Sequence, residues 1–331
     1  MCFHDESWPV RDEACLACGV FCLAYPKEAQ PELPTLMERW KEHLTDQIWS
    51  VRQDAAIALG NVIRAYGHDM ADQVWTLIEE NMPQAHQQPK MTQQEYERRQ
   101  NDMDQHTNSQ LYSCGSLAPK LKKKAGAGRI GCSSCEVNRP KQAWEATDGA
   151  IYLLREYIAS THDTTTDSKL MPMVETMMNV CRVSHFPQGN DLRTTLWRCW
   201  PCIAQSLGKR RFKQMYLEII LEPLVHNAQN GSPLSIHAAE QCIVELSKFV
   251  GPSIFRNRLP EESQRRFVDQ VLLREQQQNN SPHPLHEPMD IFSPFGPPPT
   301  PNPVLAATPP KNPFAFGTLP NVPGNEGTET F

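Results

Sequence analysis

One string of residues occurs twice in this chain, and the second copy follows the first by 41 positions. In both copies an aspartate is followed by tryptophan, valine, arginine, two alanines and a glycine at identical spacing. The first copy comprises Asp5, Trp8, Val10, Arg11, Ala14, Ala17 and Gly19, and the second comprises Asp46, Trp49, Val51, Arg52, Ala55, Ala58 and Gly60. Self-similarity at a period of this length is typical of stacked helical units.

The order of residues within the string predicts a helix that follows the aspartate. The valine and the two alanines share one helical face, and small residues there let a neighbouring helix approach closely. The arginine follows the aspartate by six positions. It can pair with that aspartate or with the equivalent aspartate of the next unit, which would link stacked units by an ionic ladder. The candidate ladder residues are Asp5, Arg11, Asp46 and Arg52.

The string resembles the HEAT repeat, a unit of two antiparallel helices joined by an Asp-x-x-Val-Arg turn. The resemblance implies an all-α, armadillo-type solenoid of about five helical hairpins. Second helices are predicted at about 9–24, 50–66, 142–160, 191–207 and 234–250, first helices at about 31–44, 70–82, 167–183 and 209–228, and a capping helix at about 260–276. The string is weaker in the later units, so the register after residue 142 stays open.

The pattern divides the chain into four regions. HEAT-like repeats are predicted at 1–82 and, with the capping helix, at 142–276. The polar insertion at 83–141 has a charge of +5 and is predicted to be disordered, as is the C-terminal tail at 277–331, which holds 14 of the 29 prolines.

The first unit lacks its first helix, so its apolar end needs a cover. We expect missing sequence or another chain to cover it, because an uncapped repeat exposes an apolar face. The residues expected to be partly uncovered are Cys15, Leu16, Phe21, Cys22 and Leu23. Trp8 and Trp49 are predicted to pack between units, with a peptide-binding role on the concave face as the alternative.

Composition excludes several classes of protein. The N-terminus has no signal-peptide pattern, and no stretch of 18 uncharged apolar residues predicts a membrane span. Eleven cysteines, mostly within helical patterns, favour a reducing compartment, the cytoplasm or alternatively the nucleus. A net charge of −6 gives no general affinity for nucleic acid.

No catalytic motif stands out. The chain contains neither Gly-x-Ser-x-Gly nor His-Glu-x-x-His, and the glycines near residue 126 lack the Lys-Ser/Thr of a phosphate loop. We therefore expect no catalytic residue and no cofactor. The predicted function is a non-enzymatic scaffold or adaptor that binds other proteins. HEAT proteins include transport receptors, phosphatase scaffolds and trafficking coats, and the repeats do not choose among them.

The insertion contains one candidate zinc site. Cys132 and Cys135 form a Cys-x2-Cys pair, and Cys114 and His106 could complete the four ligands that tetrahedral zinc takes. The alternatives are free thiols on a mobile loop or a redox pair. With zinc bound, the chain would be a regulatory or nucleic-acid-associated protein, which is the alternative function.

A basic run precedes the cysteine pair. Lys120, Lys122, Lys123 and Lys124 follow Pro119, and this run resembles a short nuclear import signal. It could also bind phosphate groups of nucleic acid or lipid. A solvated linker is the plainer interpretation.

The tail carries short peptide motifs. Asn312, Pro313 and Phe314 resemble the Asn-Pro-Phe peptide bound by EH domains of endocytic adaptors, while Asp290 and Phe292 resemble the Asp-x-Phe peptides read by clathrin-adaptor appendages. Phe-Gly dipeptides and a polyproline run add nuclear-pore and SH3 or WW interpretations. A featureless disordered tail is the alternative. These motifs favour membrane trafficking or intracellular transport.

Overall fold

Helices make up all the regular secondary structure in the described part of the chain. The computed structural model describes residues 2–5, 7–96, 141–180 and 182–280, with side chains described as far as residue 277. Ten longer helices occur in these ranges: α1 Trp8–Ala24, α2 Leu33–His43, α3 Trp49–Tyr66, α4 His68–Asn81, α5 Ala143–Thr161, α6 Asp167–Val180, α7 Gly189–Leu207, α8 Leu217–Asn230, α9 Pro233–Val250 and α10 Glu262–Asn280.

Shorter helical turns connect these helices. They are Cys2–His4, Pro26–Ala29, Gln30–Glu32, Met82–Gln87, Lys209–Arg211 with the π-helical segment Phe212–Tyr216, and Pro252–Asn257. Nine of the ten predicted helices are confirmed, with ends that lie within four residues of the predicted ones. The tenth, predicted at 209–228, is helical from Lys209, but α8 begins only at Leu217, after the π-helical segment. In the described ranges, no helix combines the length and the apolar character that crossing a membrane requires.

Glycines in positive-φ conformations end three of the odd-numbered helices. Gly67, Gly208 and Gly251 follow α3, α7 and α9 with φ of 77°, 79° and 112°. Residues with a Cβ rarely adopt such φ values, whereas glycine does so without steric cost. The sequence therefore fixes where these helices stop and the chain turns back.

The odd-numbered helices pack against one another in chain order. Contacts join α1 to α3, α3 to α5, α5 to α7 and α7 to α9. Four of the even-numbered helices lie against this series: α2 and α4 contact α3, α4 also contacts α5, and α8 and α10 contact α9. Helix α6 contacts α8 and the Met82–Gln87 turn. The core runs along these interfaces, where Trp40, Trp200 and Tyr216 are fully buried.

The repeated glycine lets successive odd-numbered helices approach closely. A Cβ on Gly19 of α1 would lie 2.5 Å from the Cα of Ala58 in α3. A Cβ on Gly60, its repeat equivalent, would lie 2.9 Å from the Cβ of Glu156 in α5. Two successive interfaces therefore use the same small residue at the same position.

The segment after α4 packs against the rest of the chain. Ala85 donates its backbone N–H to the hydroxyl of Thr147 at 2.8 Å, and Gln88 accepts a 3.3 Å bond from the backbone N–H of Trp144. Met91 N donates to the carbonyl of His185 at 3.0 Å. An insertion boundary at residue 83 is therefore too early, because buried polar contacts hold this segment. Residues 97–140 of the predicted insertion and 281–331 of the predicted tail lie outside the described residues.

The repeated tryptophans are not core residues. Trp8 is half-buried, and Trp49 is 37% exposed. Each is the first residue of its helix, so it lies at the edge of the helix interface. The prediction that both pack between units is wrong for Trp49. Its neighbour Ile48 packs against the core instead.

Candidate functional site

Arg11 joins the first two copies of the repeated string. Its Nε and Nη2 donate to the carboxylate oxygens of Asp46 at 3.1 and 3.3 Å, and its Nη1 donates to the carbonyl of Asp5 at 2.9 Å. The carboxylate partner therefore comes from the next unit, while the aspartate of the same unit contributes only its backbone.

Arg52 repeats this arrangement one step along the chain. Its Nε and Nη2 contact Asp148 Oδ2 at 2.8 and 2.7 Å, and its Nη1 donates to the carbonyl of Asp46 at 2.6 Å. Arg52 and Asp148 are both fully buried. Burial alone would lower the pKa of Arg52, but the carboxylates of Asp148 and Glu145 raise it. The pair is therefore charged and structural.

Sequence reasoning missed Asp148 as the next ladder residue. In the first two units the aspartate precedes its helix, whereas Asp148 lies inside α5, four residues after Trp144. The next candidate, Arg193, donates to the carbonyl of Val183 and to Asn190 Oδ1. Burial and the charge of Asp148 raise the pKa of Asp191 to about 6. The repeated arginine arrangement therefore extends from Asp5 to Asp148, and the bonds of Arg193 to Val183 and Asn190 differ from it.

The other predicted site residues lie outside the described residues. This applies to the candidate zinc ligands His106, Cys114, Cys132 and Cys135, the basic run Lys120, Lys122, Lys123 and Lys124, and the tail residues Asp290, Phe292, Asn312, Pro313 and Phe314. Within the described ranges, no group of three or more His, Cys, Asp or Glu side chains could hold a metal ion.

The two copies of the string differ in exposure along one stripe of the helix. On α3, Val51, Ala55, Ala58 and Val62 are fully buried. Their equivalents on α1 are Val10, Ala14, Ala17 and Phe21, which we call the N-terminal stripe. Val10 is 38% and Phe21 46% exposed, Ala17 is exposed and Ala14 is half-buried. The stripe is therefore buried on α3, whereas the equivalent stripe on α1 is open.

More apolar side chains extend the N-terminal stripe at the end of α1. Val20, Leu23 and Tyr25 are 51%, 42% and 56% exposed, and the rings of Phe21 and Tyr25 lie 5.5 Å apart. The expected exposure of Cys15 and Cys22 is wrong, because both are fully buried. Trp40 donates its indole N–H to the carbonyl of Cys15, which places that side of α1 against α2.

No protein-family model, curated protein or solved structure matches this chain. The resemblance to HEAT repeats therefore depends on the repeated string. Its residues adopt the same hydrogen bonds and the same close helix contact in two successive units.

A second surface feature lies between the loop before α7, the first half of α7 and the end of α8. It is a cleft of about 520 Å³, which we call the polar cleft. Its lining residues are Arg182, Ser184, Arg193, Trp197, Glu222, Pro223, His226, Asn227, Asn230 and Gly231. Clefts of roughly 300–1,000 Å³ are of the size that holds small ligands or peptide segments.

Two side chains at the polar cleft are almost completely buried yet incompletely hydrogen-bonded. Trp197 is 1% exposed, and its indole N–H has no partner among the described residues. Asn227 is 4% exposed, and its Oδ1 likewise has no partner in the described ranges. Asn227 Nδ2 donates to Ser235 Oγ at 3.2 Å, which orients this amide. Most buried polar atoms in proteins are paired, so these two mark the cleft as a candidate binding site.

A carboxylate pair lies between α1 and α3. Burial, with the nearby charge of Asp54, raises the pKa of Asp12 to about 7. Burial and the charge of Glu13 also raise the pKa of Asp54. Burial and like-charged neighbours both favour the protonated carboxyl group, so the charge at this interface changes with pH.

Proposed function

We propose that this protein is a non-enzymatic scaffold or adaptor, built as a HEAT-like, armadillo-type α-solenoid, that binds other proteins through its helical surface. The serial contacts of the odd-numbered helices support the solenoid. The repeated bonding of Arg11 and Arg52 supports a regular step between units. Stacked helical repeats offer an extended surface suited to partner binding.

The single observation that carries the proposal is the open N-terminal stripe. The equivalent stripe of α3 packs against α1, and Ala58 of this stripe lies directly against Gly19. This contact supports close packing of a helix that presents a small residue. The occupant we propose for the stripe of α1 is a helix of a partner protein that presents a glycine or another small residue. Exposed contiguous apolar patches mark interaction sites more often than scattered apolar residues do.

The tail motifs belong to the same proposal. Asn312, Pro313 and Phe314, with Asp290 and Phe292, would supply short peptides for trafficking adaptors. All seven described cysteines are free thiols, which supports a reducing compartment such as the cytoplasm. The basic run beginning at Lys120 adds nuclear import as a further proposal.

Affinity capture with the full chain tests the stripe. Phe21→Glu places a charge on the stripe, and Leu234→Glu is the matched control, because Leu234 on α9 is also an exposed apolar residue, at 62%. We expect Phe21→Glu to lose partners that the parent and Leu234→Glu retain. A photocrosslinker at Ala17 should then label a helix of the lost partner. Retention of every partner by Phe21→Glu would refute the role of the stripe.

Two further measurements test whether partners bind through the tail and whether the stripe joins two copies of this chain. Phe314→Ala in the full chain shows which partners depend on the tail. Light scattering shows whether the stripe joins two copies of this chain, and a dimer broken by Phe21→Glu would make the occupant a second copy in place of a partner protein.

A further inference from the structure

We propose that the polar cleft binds a short acidic segment of a partner protein, with the peptide backbone held at Trp197 and Asn227 and a carboxylate held by arginine. This inference rests on the proposed scaffold function and adds a second, chemically defined site to it. The cleft is about 520 Å³, in the range of sites that hold several residues of a peptide or a small ligand.

The unpaired atoms define what the ligand must offer. The indole N–H of Trp197 is a donor only, and Oδ1 of Asn227 is an acceptor only. Because Ser235 holds the Nδ2 of Asn227, the amide cannot turn without losing that bond. A peptide unit supplies both complements, a carbonyl for Trp197 and an N–H for Asn227. Neither atom exposes surface, so the ligand reaches them when a side chain that lines the cleft moves aside.

The charge on the cleft selects an acidic segment. Arg182 is exposed, and its guanidinium has no hydrogen bond or ion pair among the described residues. Arg193 is fixed at the cleft by bonds of 3.0 Å to the carbonyl of Val183 and 2.7 Å to Asn190 Oδ1. Guanidinium groups suit carboxylates because they can donate two parallel bonds.

The charges at the cleft argue against a polyanionic ligand such as nucleic acid. Glu222 also lines the cleft, and the chain carries a net charge of −6. A nucleic acid strand would meet repulsion there, whereas a peptide with one or two carboxylates would not. Gly231 closes the turn behind Asn227, where a Cβ would lie 2.5 Å from the Asn227 amide nitrogen. This tight turn keeps Asn227 in place.

Selection from a displayed library of random twelve-residue peptides, with the full chain as bait, tests the inference. We expect the selected peptides to be enriched in Asp and Glu. Their affinity should fall by on the order of tenfold with Arg182→Glu. Arg198→Glu is the matched control, because Arg198 is exposed on α7 and does not line the cleft. Thermal melting should show both variants folded, since both side chains are exposed.

A spectroscopic readout locates the peptide. The indole ¹H–¹⁵N resonance of Trp197, assigned with Trp197→Phe, should shift when the selected peptide saturates the ¹⁵N-labelled chain. The inference is overturned if selection yields no acidic peptide, if Arg182→Glu binds as the parent does, or if the indole resonance does not move. Binding of a twenty-residue thymidine oligonucleotide that depends on Arg182 would also overturn it. If these peptide experiments fail while Phe21→Glu still loses partners, the inference about the polar cleft is wrong and the proposed scaffold function stands.

Discussion

Individual buried arginine and aspartate side chains join successive copies of the repeated string. Arg52 and Asp148 are both buried, and each satisfies the other while Arg52 also binds the carbonyl of Asp46. A buried ion pair contributes little net stability against an apolar alternative, but loss of one partner leaves an uncompensated charge. The guanidinium also lies 5.2 Å from the centre of the Trp144 ring, so it is held by packing as well as by charge.

Arg52→Ala should therefore destabilise the chain strongly. We expect a loss of about 3–5 kcal/mol in the free energy of unfolding, because Asp148 would be left buried without its guanidinium partner. Urea denaturation measures this loss. The double variant Arg52→Ala with Asp148→Asn should recover part of it, since the isolated charge is removed. Equal stability of the Arg52→Ala variant and the parent would mean that this pair is not buried in solution.

Asp12 gives the α1–α3 interface a pH dependence of a definite sign. Its pKa of about 7 lies above the ordinary aspartate value of 3.8, so the folded chain binds this proton more tightly than the unfolded chain. The contribution of Asp12 to stability is therefore greatest below pH 3.8 and declines as the pH rises towards about 7.

Asp12→Asn should raise the melting temperature at pH 8 and raise it less at pH 5, because part of the loss has already occurred by pH 5. The amide keeps the shape of the carboxyl group and removes the charge that burial disfavours. A rise of a few degrees is expected for roughly 1 kcal/mol in a chain of this size. Differential scanning fluorimetry at both pH values measures it, with Asp163→Asn as the control, because Asp163 is an exposed carboxylate far from this pair in the chain. A gain that is equal at both pH values would contradict the shifted pKa.

Helices were the part of the fold that local sequence could predict. Their apolar spacing and the glycines at their ends are local signals, so nine of the ten lie within four residues of the predicted bounds, and α8 differs because a π-helical segment precedes it. Asp148 could not be predicted as the partner of Arg52, because it departs from the spacing of the string and is paired through space. The packing of Gln88 on α5 was missed for the same reason, since a polar segment carries no apolar pattern. The polar cleft brings together residues from three elements that share no motif.

The paired copies of the string allow a matched test of helix packing. Ala58 is fully buried against Gly19, whereas its equivalent Ala17 is exposed. Ala58→Asp should cost about 3–5 kcal/mol, because it buries an unpaired charge and overfills a close helix contact. Ala17→Asp places the same side chain at the equivalent position of α1 and should cost less than about 1 kcal/mol. Similar losses in urea denaturation would show that α1 is covered in solution.

At the scale of the whole molecule, the odd-numbered helices contact one another in chain order, and this arrangement limits the cooperativity of unfolding. In a repeat array each unit is stabilised by its own contacts and by the interfaces on its two sides. Helix α1 has an interface with α3 on one side and the open stripe on the other, whereas α5 lies between α3 and α7. The first helix should therefore open more readily than the central ones.

Hydrogen exchange measured by mass spectrometry should show this gradient. Amides of α1 should exchange on the order of tenfold faster than those of α5 and α7, since each 1.4 kcal/mol of local opening free energy changes exchange about tenfold. Arg11→Ala should increase exchange in α1 more than in α7, because Arg11 joins α1 to Asp46, which precedes α3. A bound partner on the N-terminal stripe should slow exchange in α1 to the rate of the central helices. Uniform exchange across α1, α5 and α7 would instead show one cooperative unit, and the comparison with a stacked repeat array would then be wrong.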